Sequence, residues 1–376
     1  MNIVFVSNHF NHHQSALSEA LYKATGGQFV FMQTALMSEE RRAMGWGIEL
    51  PSYVKVVGTQ RAFRKEAAEL INCADIVIAG AAPESLLISR VKKGKLTFRY
   101  SERIFKNKEN DLLRWIKYTA RELPLRNKNV YYLCSSAYAA WDYIRCGVKP
   151  EKCYKWGYFP STKRYTDINE QINSKKKATI LWVARFINWK HPEAVIELAK
   201  HLKSYGIPFE INMIGNGKLK DPVQKQIEIE RLGDCVFLLG TMTPDEVRTY
   251  MEKSEVFVFT SDRNEGWGAV LNEAMNSGCA VVANRAIGAV PFLIKDGKNG
   301  LVYDNMVEFC EKTKWLLEHA DERREMARQA YYTIIGEWNA DNAAERLINS
   351  SNSIMGASRD AFQTGEVCSR ADVIKA

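Results

Sequence analysis

Several things are missing from this chain, and each absence closes off a class of protein. No stretch approaches the ~18–20 uninterrupted apolar residues that a membrane span needs. The first residues, Met1-Asn2-Ile3-Val4-Phe5-Val6-Ser7, have no basic segment before the apolar run, so they read as a first β-strand and not as a signal peptide. The eight cysteines (73, 134, 146, 153, 235, 279, 310 and 368) stand singly, with no Cys-x-x-Cys. That pattern speaks against a disulfide framework or a zinc site and fits unpaired thiols in a reducing cytoplasm. Neither an internal repeat nor a low-complexity tract occurs.

What remains is a chain of 376 residues, 46% hydrophobic and 26% charged. This is too long for one ordinary core and suits two domains. Its net charge of +8 is unevenly placed: residues 1–158 carry 24 Lys and Arg against 14 Asp and Glu, and the remainder 28 against 30. A basic first half suits an anionic surface or a phosphorylated partner, or is a generally solvated cationic exterior.

Short apolar runs alternate with amphipathic segments, the pattern of parallel sheets covered by helices. Strands are expected near 2–7, 28–32, 75–79, 96–100 and 130–134, with helices near 14–24, 61–72, 84–92, 110–121 and 136–145. The aperiodic, polar run over 161–177 reads as a linker. A second series begins at Ala178-Thr179-Ile180-Leu181-Trp182-Val183-Ala184, continuous enough for a strand buried on both faces. A helix near 191–204 and strands near 208–214, 235–239, 256–260 and 279–283 follow. Residues 305–349 look helical, and 351–376 read as a frayed polar tail.

The chemistry concentrates in Thr260-Ser-Asp-Arg-Asn-Glu265-Gly266-Trp267-Gly268-Ala269-Val-Leu-Asn-Glu273. A strand ends in a polar loop, and two glycines free the backbone just before a helix. Unpaired amides and the helix dipole at such a junction favour phosphate. A carboxylate beside an anion site needs a donor of its own, and sugar or ribose hydroxyls would serve. The plainer alternative for the segment alone is a strand–helix junction with two surface glutamates. Upstream, Arg185 and Lys190 follow the first strand of this half and could neutralise a diphosphate, Arg with a planar fork and Lys as a point charge. Gly215-Asn-Gly217 follows the next strand and is by itself an ordinary tight turn.

Together, Arg185 and Lys190, Gly215-x-Gly217, Gly240, Glu265-Gly-Trp-Gly268 with Glu273, Gly278 and Gly297-Lys-Asn-Gly300 resemble glycosyltransferase family four, the retaining enzymes of the GT-B fold. The resemblance covers roughly residues 178–302 and the first half only in outline. It implies two Rossmann-like α/β domains with parallel sheets facing across a cleft. An acceptor-side domain over 1–160 would precede the 161–177 linker and a nucleotide-sugar domain over 178–335. A crossover helix over 336–350 would pack back on the first domain. Arg185 and Lys190 would hold the donor diphosphate and stabilise the leaving group, and Glu265 would contact the donor sugar. Amides from Gly266, Trp267, Gly268 and Ala269 would hold the sugar and distal phosphate, and Glu273 the ribose. Gly215, Gly217, Thr241 and Met242 would complete the donor site. No Asp-x-Asp occurs, so the cation pair and the helix start are expected to supply the charge stabilisation, with no metal and no cofactor.

The first half departs from the family pattern. Its first loop, Ser7-Asn8-His9-Phe10-Asn11-His12-His13-Gln14, has no glycine; Asn8, His9, His12 and His13 could bind acceptor hydroxyls or a lipid phosphate, unless His9 and His12 are merely solvated. After the strand ending at Tyr100 comes Ser101-Glu102-Arg103 where many relatives have a histidine; Glu102 would polarise an acceptor hydroxyl or hold a donor one, with Arg103 beside it. Front-face attack with the leaving phosphate as base needs no enzymic nucleophile.

The expected partners are a UDP- or GDP-linked sugar and a glycan or lipid-linked acceptor in cell-surface polysaccharide synthesis, with no nucleic acid. Residues 90–128, with 13 Lys and Arg against four Asp and Glu interleaved with Ile104, Phe105, Leu112, Leu113, Trp115 and Ile116, suggest peripheral contact with an anionic membrane from the cytoplasmic side. The competing reading is a helix packed on its own sheet with a cationic solvent face. For the whole chain, a nucleotide-sugar epimerase or hydrolase, or a scaffold without turnover, stands as the alternative.

Overall fold

The computed structural model describes residues 1–36, 49–57, 61–106, 111–356 and 366–375. Residues 107–110 of the basic stretch, and 357–365 and 376 of the tail, lie outside them. The chain divides into two units, Met1–Ser161 with Trp338–Ala376, and Thr162–Glu337.

In the first unit seven parallel strands form one sheet: β1 (Ile3–Ser7), β2 (Phe29–Gln33), β3 (Val54–Val56), β4 (Ile76–Ala79), β5 (Thr97–Ser101), β6 (Val130–Cys134) and β7 (Cys153–Lys155), in the order β3-β2-β1-β4-β5-β6-β7. All five residues of β1 are buried, as expected of a central parallel strand covered on both faces. Ile3 pairs with Phe29 on one side and Ile76 on the other. The chain reverses its direction of travel across the sheet between β1 and β4, and loops at the carboxyl ends of such strands diverge to leave a crevice.

The second unit repeats the arrangement with six parallel strands: β8 (Lys176–Val183), β9 (Glu210–Ile214), β10 (Val236–Gly240), β11 (Ser254–Phe259), β12 (Ala280–Asn284) and β13 (Leu301–Tyr303), ordered β10-β9-β8-β11-β12-β13. Its reversal lies between β8 and β11, so the loops carrying Arg185 and Glu265 leave adjacent strand ends. Trp182, Phe186, Val195, Leu198, Met213, Val256 and Phe309 are among the buried core side chains beneath them.

Two α/β units, each on a parallel sheet, are the architecture expected, and the local differences have physical causes. Strands β3, β7 and β13 are three residues each, too short to show an alternation. The 161–177 segment is not simply a linker: Ile168–Asn173 is a helix capped by Asp167, and Ile168 and Ile172, one turn apart, enter the core of the second unit. Residues 305–349 form three helices, Met306–Glu318, Ala320–Gly336 and Ala340–Ile354. The last is capped by Asn339 and packs against the helix His12–Ala24 within the first unit.

The tail is also more ordered than its polarity suggests. Val367, Cys368 and Ser369 are buried, Arg370 forms an antiparallel bridge with Tyr154, and Lys155 pairs with Asp372 at 2.8 Å. The segment thereby covers the edge strand β7, a standard protection for unpaired backbone.

Candidate functional site

In the second unit the loop 184–191 lies flat on the turn that follows β9. The amide of Phe186 donates to the carbonyl of Asn216 at 2.9 Å, and that of Leu219 to Phe186 at 2.9 Å. This explains the glycines. Gly215 and Gly217 have φ of +135° and +151°, and a Cβ on Gly215 would stand 1.9 Å from the carbonyl oxygen of Ala184. They serve the close approach of two loops, and so help to set where Arg185 sits. Gly215 also donates to the carbonyl of Gly240 at 2.8 Å, which ties the exposed loop bearing Thr241 and Met242 to the same turn.

Loops 184–191 and 260–269 are pinned together at the ends of β8 and β11. Thr260 Oγ1 accepts from the buried Trp182 indole at 2.8 Å and donates to the carbonyl of Lys190 at 2.5 Å. The Asp262 amide donates to the carbonyl of Trp189 at 3.0 Å. Lys190 and Glu265 meet there as an ion pair whose side chains are only 13% and 15% exposed. Ser261 Oγ donates to the same Glu265 oxygen at 3.0 Å. Arg185 is exposed, its guanidinium 5.5 Å from the centre of the Trp189 ring.

Beyond Glu265, the backbone turns through Gly266–Ala269 into the helix Val270–Asn276. Among the described residues no hydrogen bond is made by the amides of Gly266, Gly268 and Ala269, which leaves three donors beside a lysine. Trp267 contributes backbone alone, since its indole is buried and donates to Asn272 Oδ1 at 2.9 Å. Glu273 follows within the helix; burial pushes its carboxyl up to about 7, against a smaller opposing pull from Arg248.

His191 escaped the sequence reading. It holds a left-handed backbone, φ +48°, uncommon for a residue with a Cβ. Its ring bridges Glu193 at 2.7 Å and Asp262 at 3.2 Å. The only signal was its place next to Lys190. The hydrogen bond to Glu193, and then that to Asp262, raise its pKa above the ordinary value. The bridge therefore stabilises fully below the ordinary imidazole range and fades as pH rises through the raised value. His191→Asn, which tolerates the backbone, is expected to lower the unfolding temperature at acidic pH and to match the parent once pH exceeds that value. Thermal unfolding of the two proteins across pH checks this.

In the first unit, the loop after β1 is organised by its own amides. Asn8 Oδ1 accepts from the His9 amide at 2.8 Å, and Asn11 caps the helix His12–Ala24 through the His13 amide at 3.0 Å. His9 Nδ1 contacts the carbonyl of Ala35 at 3.2 Å. His13 stacks on Tyr158, centroids 5.9 Å apart, and burial, helped by neighbouring His12, lowers its pKa to about 3. Burial lowers His12 as well, so both imidazoles are neutral near pH 7. The Tyr158 hydroxyl donates to Glu102 Oε1 at 2.7 Å, and Lys106 pairs with the other oxygen of that carboxylate.

His12, His13 and Glu102, distant in sequence, thus share one cluster through Tyr158, which the sequence reading missed. Arg103 departs from expectation: its side chain is buried, 3.6 Å from Asp142 and over the Tyr138 ring. A cation so placed needs its carboxylate partner, so Arg103 holds the fold and does not offer itself to a ligand. Among the described residues, no group of three or more His, Cys, Asp or Glu is placed to hold a metal ion.

The family described as Glycosyl transferases group 1 matches residues 164–333. A trehalose synthase of Thermococcus litoralis is 29% identical over 186 residues, covering 47% of this chain and 45% of that protein. The amylovoran biosynthesis glycosyltransferase AmsK of Erwinia amylovora is 33% identical over 126 residues, covering 32% and 31%. In these alignments the chain spans less than half the length of the curated relatives it matches. Among solved structures, Anabaena Alr3699/HepE in complex with UDP aligns over 94% of this chain and 100% of its own, with a TM-score of 0.71 at 15% identity, a likeness of fold. Residues 164–333 of this chain thus match the glycosyl transferases group 1 family, and the chain as a whole has the GT-B fold of two Rossmann-like units.

Proposed function

We propose that this protein transfers a sugar from a nucleoside diphosphate donor to a glycan or glycolipid acceptor, with retention of anomeric configuration and without a metal. One observation carries the reading: Lys190 and Glu265 are paired at the adjacent ends of β8 and β11, beside the amides of Gly266, Gly268 and Ala269. A cation, a carboxylate and unbonded amides within one loop pair suit a sugar bound to a diphosphate.

In this reading Lys190 and the exposed Arg185 take the diphosphate, and their positive charge stabilises the leaving group as the glycosidic bond breaks. The amides of 266, 268 and 269 cradle the distal phosphate. Glu265 exchanges Lys190 for sugar hydroxyls, and Glu273 accepts from the ribose. The leaving phosphate oxygen takes the acceptor proton on the face it departs from, which retains configuration. Acceptor recognition falls to the first unit, where Glu102, held by Tyr158 and Lys106, polarises a hydroxyl. UDP, bound in the Anabaena HepE structure, is the first nucleotide to try. The relatives named for amylovoran and for poly(ribitol-phosphate) support a cell-surface polymer as the acceptor class.

A panel of nucleotide sugars is the test. The true donor raises the unfolding temperature, since a ligand at 100 times its Kd adds about 2.7 kcal/mol. With acceptor it gives a product whose anomeric proton matches the donor's by NMR, in the presence of chelator. No stabilisation by any nucleotide sugar sinks the reading. Release of free sugar or an epimer without transfer converts it to hydrolase or epimerase.

A further inference from the structure

We propose that the helix Asp111–Glu122 of the first unit, with the turn Leu123–Leu125 behind it, docks on an anionic lipid surface. The inner side of this helix packs on the first unit. Tyr118 and Leu125 pack on the core around Ile104, Phe105 and Tyr132. Glu122 is buried, accepts from the Tyr132 hydroxyl at 2.6 Å and pairs with Arg99 and Arg121. The Trp115 indole donates to the carbonyl of Arg145 at 2.9 Å.

Among the described residues, no protein group covers the outer side. Leu112, Leu113, Ile116 and Leu123 are 68%, 67%, 50% and 49% exposed. At 100° per residue they fall on one stripe opposite Tyr118 and Glu122. A soluble surface rarely gathers four large aliphatic side chains on one helix face, and such a stripe marks an interaction site.

Charge selects the occupant. Arg90, Arg99 and Arg103 of the basic stretch are buried and play no part. Lys117, Arg126 and Lys128 are exposed beside the stripe. Asn129 bonds the carbonyl of Gly94 at 3.2 Å, which brings the exposed Lys92 and Lys93 to the same end. Within 111–128 the only acids are Asp111 and the buried Glu122. A second copy of the chain would set these cations against their own kind, whereas an anionic headgroup layer gains with each one. Twelve residues cannot span a bilayer, so the helix lies in the interface with its leucines below the headgroups.

Sedimentation of the full chain with phosphatidylcholine vesicles, with and without phosphatidylglycerol, decides it. Binding is expected to the mixed vesicles and to be lost in high salt or with phosphatidylcholine alone. Leu112→Ser with Ile116→Ser should weaken it more than about tenfold. Lys117→Glu with Arg126→Glu should weaken it by about tenfold or more, at about 1 kcal/mol per charge near the surface. All four side chains are exposed, so unfolding temperature and circular dichroism should match the parent. No binding to mixed vesicles overturns the proposal, as does binding that neither pair alters. A dimer in solution that the serine pair dissolves, without vesicle binding, also overturns it and assigns the face to a second copy.

Discussion

Lys190→Ala is expected to lower kcat for sugar transfer about 10²- to 10³-fold, the usual loss when one preorganised charge is removed from a transition state. The fold should survive, because the segment is held by backbone. The Lys190 amide donates to Ile187 at 3.0 Å, its carbonyl accepts from Thr260 Oγ1 at 2.5 Å, and His191 anchors the next residue on Asp262. The ammonium itself touches Glu265, which makes two roles separable.

If Lys190 served only to neutralise Glu265, Lys190→Ala combined with Glu265→Gln would regain activity over the single variant. If it meets the diphosphate, the double variant stays as slow as the worse single one. Lys190→Arg should recover part of the rate, since the charge returns on a wider, planar group. Steady-state rates with the donor found by the thermal screen check all three. A rate unchanged in Lys190→Ala removes the diphosphate assignment.

Glu273→Gln is expected to make the ligand-free protein more stable while it weakens donor binding. The carboxyl is held up to about 7, chiefly by burial, against about 4.3 in an unfolded chain. Between those values the folded state binds more protons than the unfolded one, so stability falls as pH rises through the window and the full penalty applies above it. Glutamine removes the charge. At pH 8 it should add about 1–3 kcal/mol, a rise of a few degrees in unfolding temperature, and below pH 4 the two proteins should converge.

Donor affinity moves the other way. Loss of a charged acceptor for the ribose hydroxyls costs about 1.5–3 kcal/mol, roughly ten- to a hundredfold in Kd. Sites that bind ligands commonly carry such local instability. Calorimetric unfolding across pH, with titration of the donor, measures both. A glutamine variant that is less stable at pH 8 and binds donor as before would show Glu273 to be a structural group.

How much of this was legible in the residues varies with the length scale of the physics. The long apolar strands and their helices could be read because burial on two faces leaves an unbroken run, as in Ile180-Leu181-Trp182. The three-residue strands β3, β7 and β13 could not, being recruited by neighbours and not by their own pattern. Ile168 and Ile172 were hidden in a polar run, where two apolar residues one turn apart make a helix only once a core is there to receive them. Residues 367–369 were hidden likewise, since the exposed edge of β7 is what draws them in.

The proposed donor side was legible because its groups are local. Arg185 with Lys190, and Glu265 with the glycines, each sit within a few residues of a strand end, so the sequence alone established which side chains reach the carboxyl ends of β8 and β11. Only the tertiary structure decided what each does there. It set Gly215 against the carbonyl of Ala184, turned the Trp267 indole inward, sent Arg103 to Asp142, and joined His13 to Glu102 through Tyr158. These are contacts between residues far apart in the chain. Their energies depend on distance and burial, which spacing does not encode, whereas strand ends and helix starts are set by the backbone bonds of near neighbours.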